Sequence, residues 1–366
     1  QYPDIPNNEF TRDEILSMLA EEMLDAAEQL PASQPEVGRI HKYIALAYAA
    51  KIKLYQAYQQ DETTHAVTSI NKELLREVVS LCDQVTASNR YGLLDDFQGL
   101  DLVANENGKE SVFAIQYSMN DGTESAGRIN WSNLLNSPGG GSPYGGDGFF
   151  LPSQDLINAY QTDANGLPDF NYQSKSDYSW AVLNNGVYTL QNTTPNVDPR
   201  LDFVVGRPTI TWKTYPDKPC EGWVRDKETY GYNCAKRFWV SPESSDMFNG
   251  WPWGASQLNW QIIRYADILL WKAEALIELN EGNGLETARD LINQIRNRAR
   301  NSAYVKDFND HSKYAANYLV NPYPADVWNQ DYARQALRWE TRLEKALEGE
   351  RFFDLVRWGI VETTMN

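Results

Sequence analysis

The chain has 366 residues, with 33 Lys and Arg against 50 Asp and Glu and a formal net charge of −17. That acidity works against nucleic acid as a partner, because phosphates repel it, and no run of eighteen apolar residues offers a membrane-spanning helix. Three Cys and three scattered His support neither a disulfide scaffold nor a metal site, and no cofactor is expected.

Thr11-Arg12-Asp13-Glu14 reads as a capping box. The stripe Ile15, Leu19, Met23, Ala26 and Leu30 follows, and Pro31 ends it. Gly38-Arg39 is expected to open a second helix, whose Ala45, Ala49 and Ala50 leave room for a close partner. Leu74, Leu75, Val78, Cys82 and Val85 supply that partner, so residues 38–88 read as a helical hairpin with Cys82 in its core. From Glu110 to Tyr117 the text becomes β-branched and aromatic, as in a short strand.

Between Asn120 and Asn259 helical periodicity survives only at Pro152–Tyr160. The rest is rich in Gly, Pro, Asn and aromatics, which argues for an ordered, loop-rich lobe. Ile210 to Tyr215 alternates as a strand does, and Arg237–Val240 reads as a pairing segment. The glycine-rich run 137–148 lacks the Gly-Lys-Ser/Thr ending of a phosphate loop, and reads instead as a mobile surface loop presenting Tyr144. Cys220 and Cys234 flank a turn-rich segment; spacing alone leaves open whether they pair.

Trp260–Arg300 is a second helical hairpin. Tyr265, Leu269, Ala273 and Leu276 share one face, Asn280–Gly284 breaks the pattern, and Ala288, Leu291, Ile292, Ile295 and Ala299 return. Two such hairpins of about forty residues suggest a helical repeat. Tyr332–Gly349 reads as the last long helix. The charged residues Arg342, Glu344, Glu348, Arg351, Asp354 and Arg357 read as a structural ion-pair network, with Trp358 and Phe352 packed beneath it. Arg296, Arg298 and Arg300 read as charges placed at a helix C-terminus.

Taken together, RYADILLWKAEAL from Arg264, LINQIRNRA from Leu291, and the run with Glu340, Arg342, Glu344, Ala346, Gly349, Arg351, Asp354, Leu355, Arg357, Trp358 and Gly359 resemble the SusD/RagB family. The segments Met23–Pro31, Ser88–Leu93 and Asp198-Pro199-Arg200-Leu201 extend the resemblance. Members are surface-exposed nutrient-binding lipoproteins of the Bacteroidetes outer membrane. The resemblance implies a mainly α fold of tetratricopeptide-type hairpins carrying an irregular lobe with a few short strands. It divides the chain into a scaffold part at 1–118, a ligand-binding lobe at 119–259, and a C-terminal part at 260–366 that packs with the first. It further implies that a lipid-anchored segment and a first block of helices precede Gln1. The implied function is non-enzymatic: binding of oligo- or polysaccharide at the cell surface and delivery to a SusC-like TonB-dependent transporter. Peptide binding and glycoside hydrolysis stand as alternatives.

No family ligand motif occurs in the lobe, so the site residues rest on composition. Sugar rings stack on exposed aromatics, and oriented polar groups beside them fix the hydroxyls. The lobe offers Trp131, Tyr144, Trp180, Tyr188, Trp212, Tyr215, Trp223, Trp239, Trp251 and Trp253. Of these, Trp180, Trp131, Tyr144, Trp212 and Tyr188 are expected to bind ligand, with Arg128, Asn133 and Asp147 as hydrogen-bonding neighbours.

Overall fold

The computed structural model describes residues 9–124, 127–131, 136, 139, 141–213, 219–251 and 254–365. Helices dominate. The first half holds α1 (Arg12–Gln29), α2 (Lys42–Ala57), the hairpin β1 (Tyr58–Gln60) and β2 (Val67–Ile70), α3 (Lys72–Ala87) and β3 (Ser111–Ile115). The lobe carries α4 (Gln154–Ala159), β4 (Gln161–Thr162), β5 (Ala181–Asn184), β6 (Val187–Leu190), β7 (Asn196–Val197), α5 (Arg200–Val204), β8 (Val205–Gly206), α6 (Lys227–Tyr230) and β9 (Cys234–Ala235). The chain closes with β10 (Trp260–Arg264), α7 (Tyr265–Leu279), α8 (Gly284–Asn301), α9 (Gln330–Glu344), α10 (Arg351–Arg357) and α11 (Val361–Met365).

Local chemistry accounts for the helix ends. Thr11 accepts from the amide of Glu14, whose carboxylate accepts from the amide of Thr11 at 2.8 Å, completing the capping box. Asn71 caps α3 by accepting from the amides of Glu73 and Leu74. Asn280 stops α7 in the left-handed conformation. Packing then runs α1 on α2, α2 on α3, α3 on α7 and α7 on α8, with α9 against both α7 and α8. One apolar core joins these helices: Ala49, Leu54, Val78 and Cys82 meet Ile268, Ala273, Ile292 and Leu337. The small residues on α2 and α7 are what let the axes approach.

Several boundaries depart from the sequence reading. Gly38 lies in a turn, and α2 begins at Lys42 behind His41. Residues 260–264 are a strand, antiparallel to β3, so the C-terminal hairpin begins with a β-link to the first half. Ile210 makes one isolated bridge to Asp307, and Lys213 is left-handed at φ 46°, so no strand forms among the described residues 210–213; Thr214 and Tyr215 lie outside the described residues. Arg237–Val240 also forms no strand; the pairing is instead β8 with β9 just before it. The last long helix stops at Glu344, because Leu347 and Gly349 adopt positive φ and turn the chain into α10. Phe352 is largely exposed, while Trp358 is buried and donates to Glu274 at 2.9 Å.

A buried ion-pair lattice ties the helices to the lobe. Arg200 pairs with Asp198 at 2.7 Å, Glu340 at 2.6 Å and Glu344 at 3.2 Å. Arg264 reaches Glu110, Glu344 and Glu348. Arg296 pairs with Glu340, and Arg298 with Glu110 and Glu344. Arg298 and Arg300 do stand in the last turn of α8, as expected, but Arg296 and Arg298 are also interior groups that serve this lattice. Arg357 is buried against Glu274 and Asp354. Such pairs replace lost hydration with mutual attraction and hydrogen bonds, and removing one member leaves the other uncompensated.

Candidate functional site

The lobe has its own small core, and it absorbs two of the expected ligand aromatics. Tyr144 and Trp212 are fully buried with Trp223, Trp239, Cys220 and Cys234. The Trp212 indole donates to the Tyr144 hydroxyl at 2.9 Å, and that hydroxyl donates to the carbonyl of Val240 at 2.8 Å. Glycine permits the close packing here. A Cβ on Gly254, at φ +75°, would lie 2.9 Å from the Tyr144 carbonyl, so only glycine permits the close approach of that segment. The expectation that neighbouring glycines would leave Tyr144 uncovered is thus corrected, and so is the expectation that Trp212 is an exposed platform, since it packs in this core without belonging to a strand. Cys220 and Cys234 are both buried free thiols, the Cys220 thiol donating to the carbonyl of Gly206 at 2.8 Å.

Other aromatics stay at the surface. Trp131 is 48% exposed. It follows Asn130, whose amide donates to the carbonyl of Ser256 at 2.8 Å. Ser256 also bridges Met247, and Phe248 bonds to Ala255, so the segment next to Trp131 folds back on itself. Trp251, in that returning segment, is 65% exposed. Arg128 stands three residues before Trp131, exposed and paired with Asp121 at 3.4 Å.

Trp180 is 39% exposed and stands at the mouth of the β5–β6 hairpin, its carbonyl accepting from Gln191 at 2.9 Å. Tyr188, in the same hairpin, is half-buried edge-on to Tyr232 at 5.3 Å. Burial raises its phenol above the ordinary range, and the neighbouring Tyr232 adds to this. Asp147 is exposed and pairs with Arg225 at 3.0 Å, which also donates to the carbonyl of Gly146. The structure thus puts Trp131 and Arg128 on one segment, Trp180 and Tyr188 on a second, and Asp147 on a third. Asn133, Tyr215 and Trp253 lie outside the described residues.

The sequence reading missed a cavity of about 470 Å³ between the lobe and the turns that follow α3. Asp101, Leu102, Phe203, Lys213, Lys236 and Ser241 are among its lining residues. Buried Asp101 accepts from Lys213 at 2.9 Å, from Arg237 at 3.1 Å and from the amide of Phe238 at 3.2 Å. Burial alone would raise its carboxyl, yet Arg237 and Lys213 hold it below the usual range. No local motif announces this cavity, since its residues come from positions 98 to 246.

Among the described residues no group of three or more His, Cys, Asp or Glu is placed to hold a metal ion, and no helix is long and apolar enough to cross a membrane. The sequence model of the SusD family matches residues 109–366. The chain belongs to the SusD family. Among solved structures it is similar to a SusD-like carbohydrate-binding protein from Bacteroides fragilis, with 21% identity over 97% of this chain and 60% of that one and a TM-score of 0.63. It is also similar to surface glycan-binding protein A from Bacteroides fluxus, at 19% identity over 96% and 60% with a TM-score of 0.59. A third similar structure, solved with xylogluco-oligosaccharide, shares 17% identity over 99% and 60% with a TM-score of 0.56. These likenesses establish the SusD-like fold, of which this chain spans about 60% of each relative's length. No curated protein sequence matches it.

Proposed function

We propose that this SusD-family chain is a non-enzymatic glycan-binding protein, displayed on the outer membrane of a Bacteroidetes cell and handing its ligand to a SusC-like TonB-dependent transporter. The observation that carries the reading is a SusD fold whose irregular lobe leaves large indoles in contact with water, at Trp131, Trp180 and Trp251. A buried indole gains the full hydrophobic term, and one left exposed beside polar groups suits a ring-stacking role. Two structurally similar proteins are described as carbohydrate- or glycan-binding, and a third was solved with an oligosaccharide. Trp180 and Trp131 lead as stacking platforms, with Tyr188 beside Trp180. Arg128, Asp147 and Asn133 are the polar neighbours. Tyr144 and Trp212 drop out as direct contacts because they are buried.

The test is titration calorimetry of the purified protein against neutral oligosaccharides and against peptides. Glycan binding that weakens in Trp180→Ala or Trp131→Ala supports the reading. Binding of peptides alone, or release of reducing sugar during incubation, overturns it.

A further inference from the structure

The strongest unassigned feature is the pair of lysines, Lys236 and Lys213, in the lining of the 470 Å³ cavity, which also carries the carboxylate of Glu243. Lys236 is 1% exposed, and its ammonium donates to the carbonyls of Asp202 at 2.6 Å and Thr211 at 2.8 Å. Among the described residues it has no carboxylate partner. The nearby buried carboxylate, Asp101, is already shared by Lys213 and Arg237. Asp246, another lining residue, is held by Ser244 and by Gln257 at 2.6 Å. Elsewhere this protein surrounds its buried cations with carboxylates: Arg200 has three and Arg264 has three. Lys236 departs from that pattern where the interior opens into a cavity. A buried cation with too little anionic compensation is unfavourable; burial pushes the Lys236 amine down to about 8, Asp202, whose carboxylate is already paired with Arg207, offsets this only in part, and Lys213 opposes that relief. The Ser241 hydroxyl, also in the lining, is buried without a partner.

We infer that this cavity receives the anionic substituent of an acidic sugar residue, a uronate carboxylate or a sulfate ester, against Lys236 and Lys213. The volume holds one sugar ring together with its substituent. Asp101, itself held by Arg237, anchors Lys213, so the position of that ammonium is fixed before ligand arrives. The inference rests on the glycan-binding reading and narrows it: the preferred glycan carries negative charge. Recognition of this kind needs no bond-making step, since a charge-assisted hydrogen bond supplies the selectivity.

Calorimetry and ligand-observed NMR with D-galacturonate, galactose 6-sulfate and D-galactose test it. Galacturonate or the sulfate ester should bind at least tenfold more tightly than galactose, and which of the two binds better identifies the anion. The preference should vanish in Lys236→Met. Because that change also removes two hydrogen bonds to backbone and risks the fold, Ser244→Trp serves as a second variant: it crowds the cavity lining and leaves Lys236 in place. Loss of acidic-sugar binding in a folded Ser244→Trp protein supports the site. Equal binding of galactose and galacturonate, or acidic-sugar binding that survives in Ser244→Trp, overturns it. Neutral oligosaccharides titrated against the wild type separate the two failures. If they bind and neither acidic sugar does, the anionic subsite alone is wrong; if nothing binds, the glycan reading falls with it.

Discussion

Glu344 lies among three guanidinium groups, and its titration couples the fold to acid. Burial alone would raise the carboxyl, but Arg298, Arg264 and Arg200 hold it at about 2. A carboxylate with a folded pKa below its unfolded value of about 4.3 gives stability that is fully present above 4.3 and is lost as pH falls through the folded value. Glu348 and Asp198 are depressed in the same sense, whereas burial leaves the Asp354 carboxyl raised despite Arg357. The balance therefore favours higher pH, and the urea midpoint should fall steadily from pH 4.5 to pH 2; an unchanged midpoint over that window would contradict the lattice. Arg357→Ala strands Glu274 and should destabilise by about 3–5 kcal/mol, read by chemical denaturation. At the surface the expectation reverses. Trp180→Ala and Trp131→Ala should leave the melting temperature nearly unchanged and weaken glycan binding about tenfold, or about 1–3 kcal/mol by analogy with base stacking on aromatics. Tyr144→Phe should act the other way, removing about 1–3 kcal/mol of stability through the unpaired Trp212 indole and Val240 carbonyl. Trp180 and Tyr144 both stand in polar, turn-rich text, so local sequence could not separate them. What separates them is long-range packing: Trp212, Trp223 and Trp239 close around Tyr144, and Gly254 permits the close approach there.

At the level of elements, legibility followed the range of the interactions. The capping box at Thr11, the left-handed stop at Asn280 and the apolar stripes of α3 and α8 are local, and the residues announced them. The strand β10 was missed because its partner β3 lies about 150 residues earlier, and the five residues from Trp260 carry no strong period of their own. The break after α9 was missed for a different reason. Lys345 to Glu350 has good helix formers, but Lys345 and Glu348 turn inward to meet Asp267, Arg264 and each other. Gly349, at φ +87°, allows the turn, and no neighbour lies within 4 Å of an added Cβ. Gly349→Ala should therefore cost about 1–2 kcal/mol from backbone conformation alone, without steric clash, as thermal denaturation would show. Asn71→Ala removes the α3 cap and should cost about 1 kcal/mol.

Over the whole molecule, the helical core is shared between the two ends of the chain. Val78 and Cys82 on α3 contribute to the same cluster as Ile268 and Ala273 on α7. A fragment of residues 9–118 should accordingly lack protected amides in hydrogen exchange, since it would expose the α7-facing side of α3; a protected, cooperatively melting fragment would show two separable cores. The scaffold's helical hairpins were readable in sequence because apolar periodicity persists over whole helices. The cavity and the buried lysine were not, since they depend on where loops from distant positions meet.

The ion-pair lattice also bears on how the chain acquires its fold. Arg264 and Glu110 are 154 positions apart, and Arg200 and Glu344 are 144 apart. Loop-closure entropy makes such distant partners slow to find each other. Until residues 340–357 are available, Arg200, Arg264, Arg296 and Arg298 lack carboxylates that they have in the native interior. During synthesis these four arginines should therefore stay hydrated until the stretch 340–357 emerges. The late stretch would then close the interior like a latch, and a chain truncated before Glu340 should be cleaved by a protease much faster than the full chain.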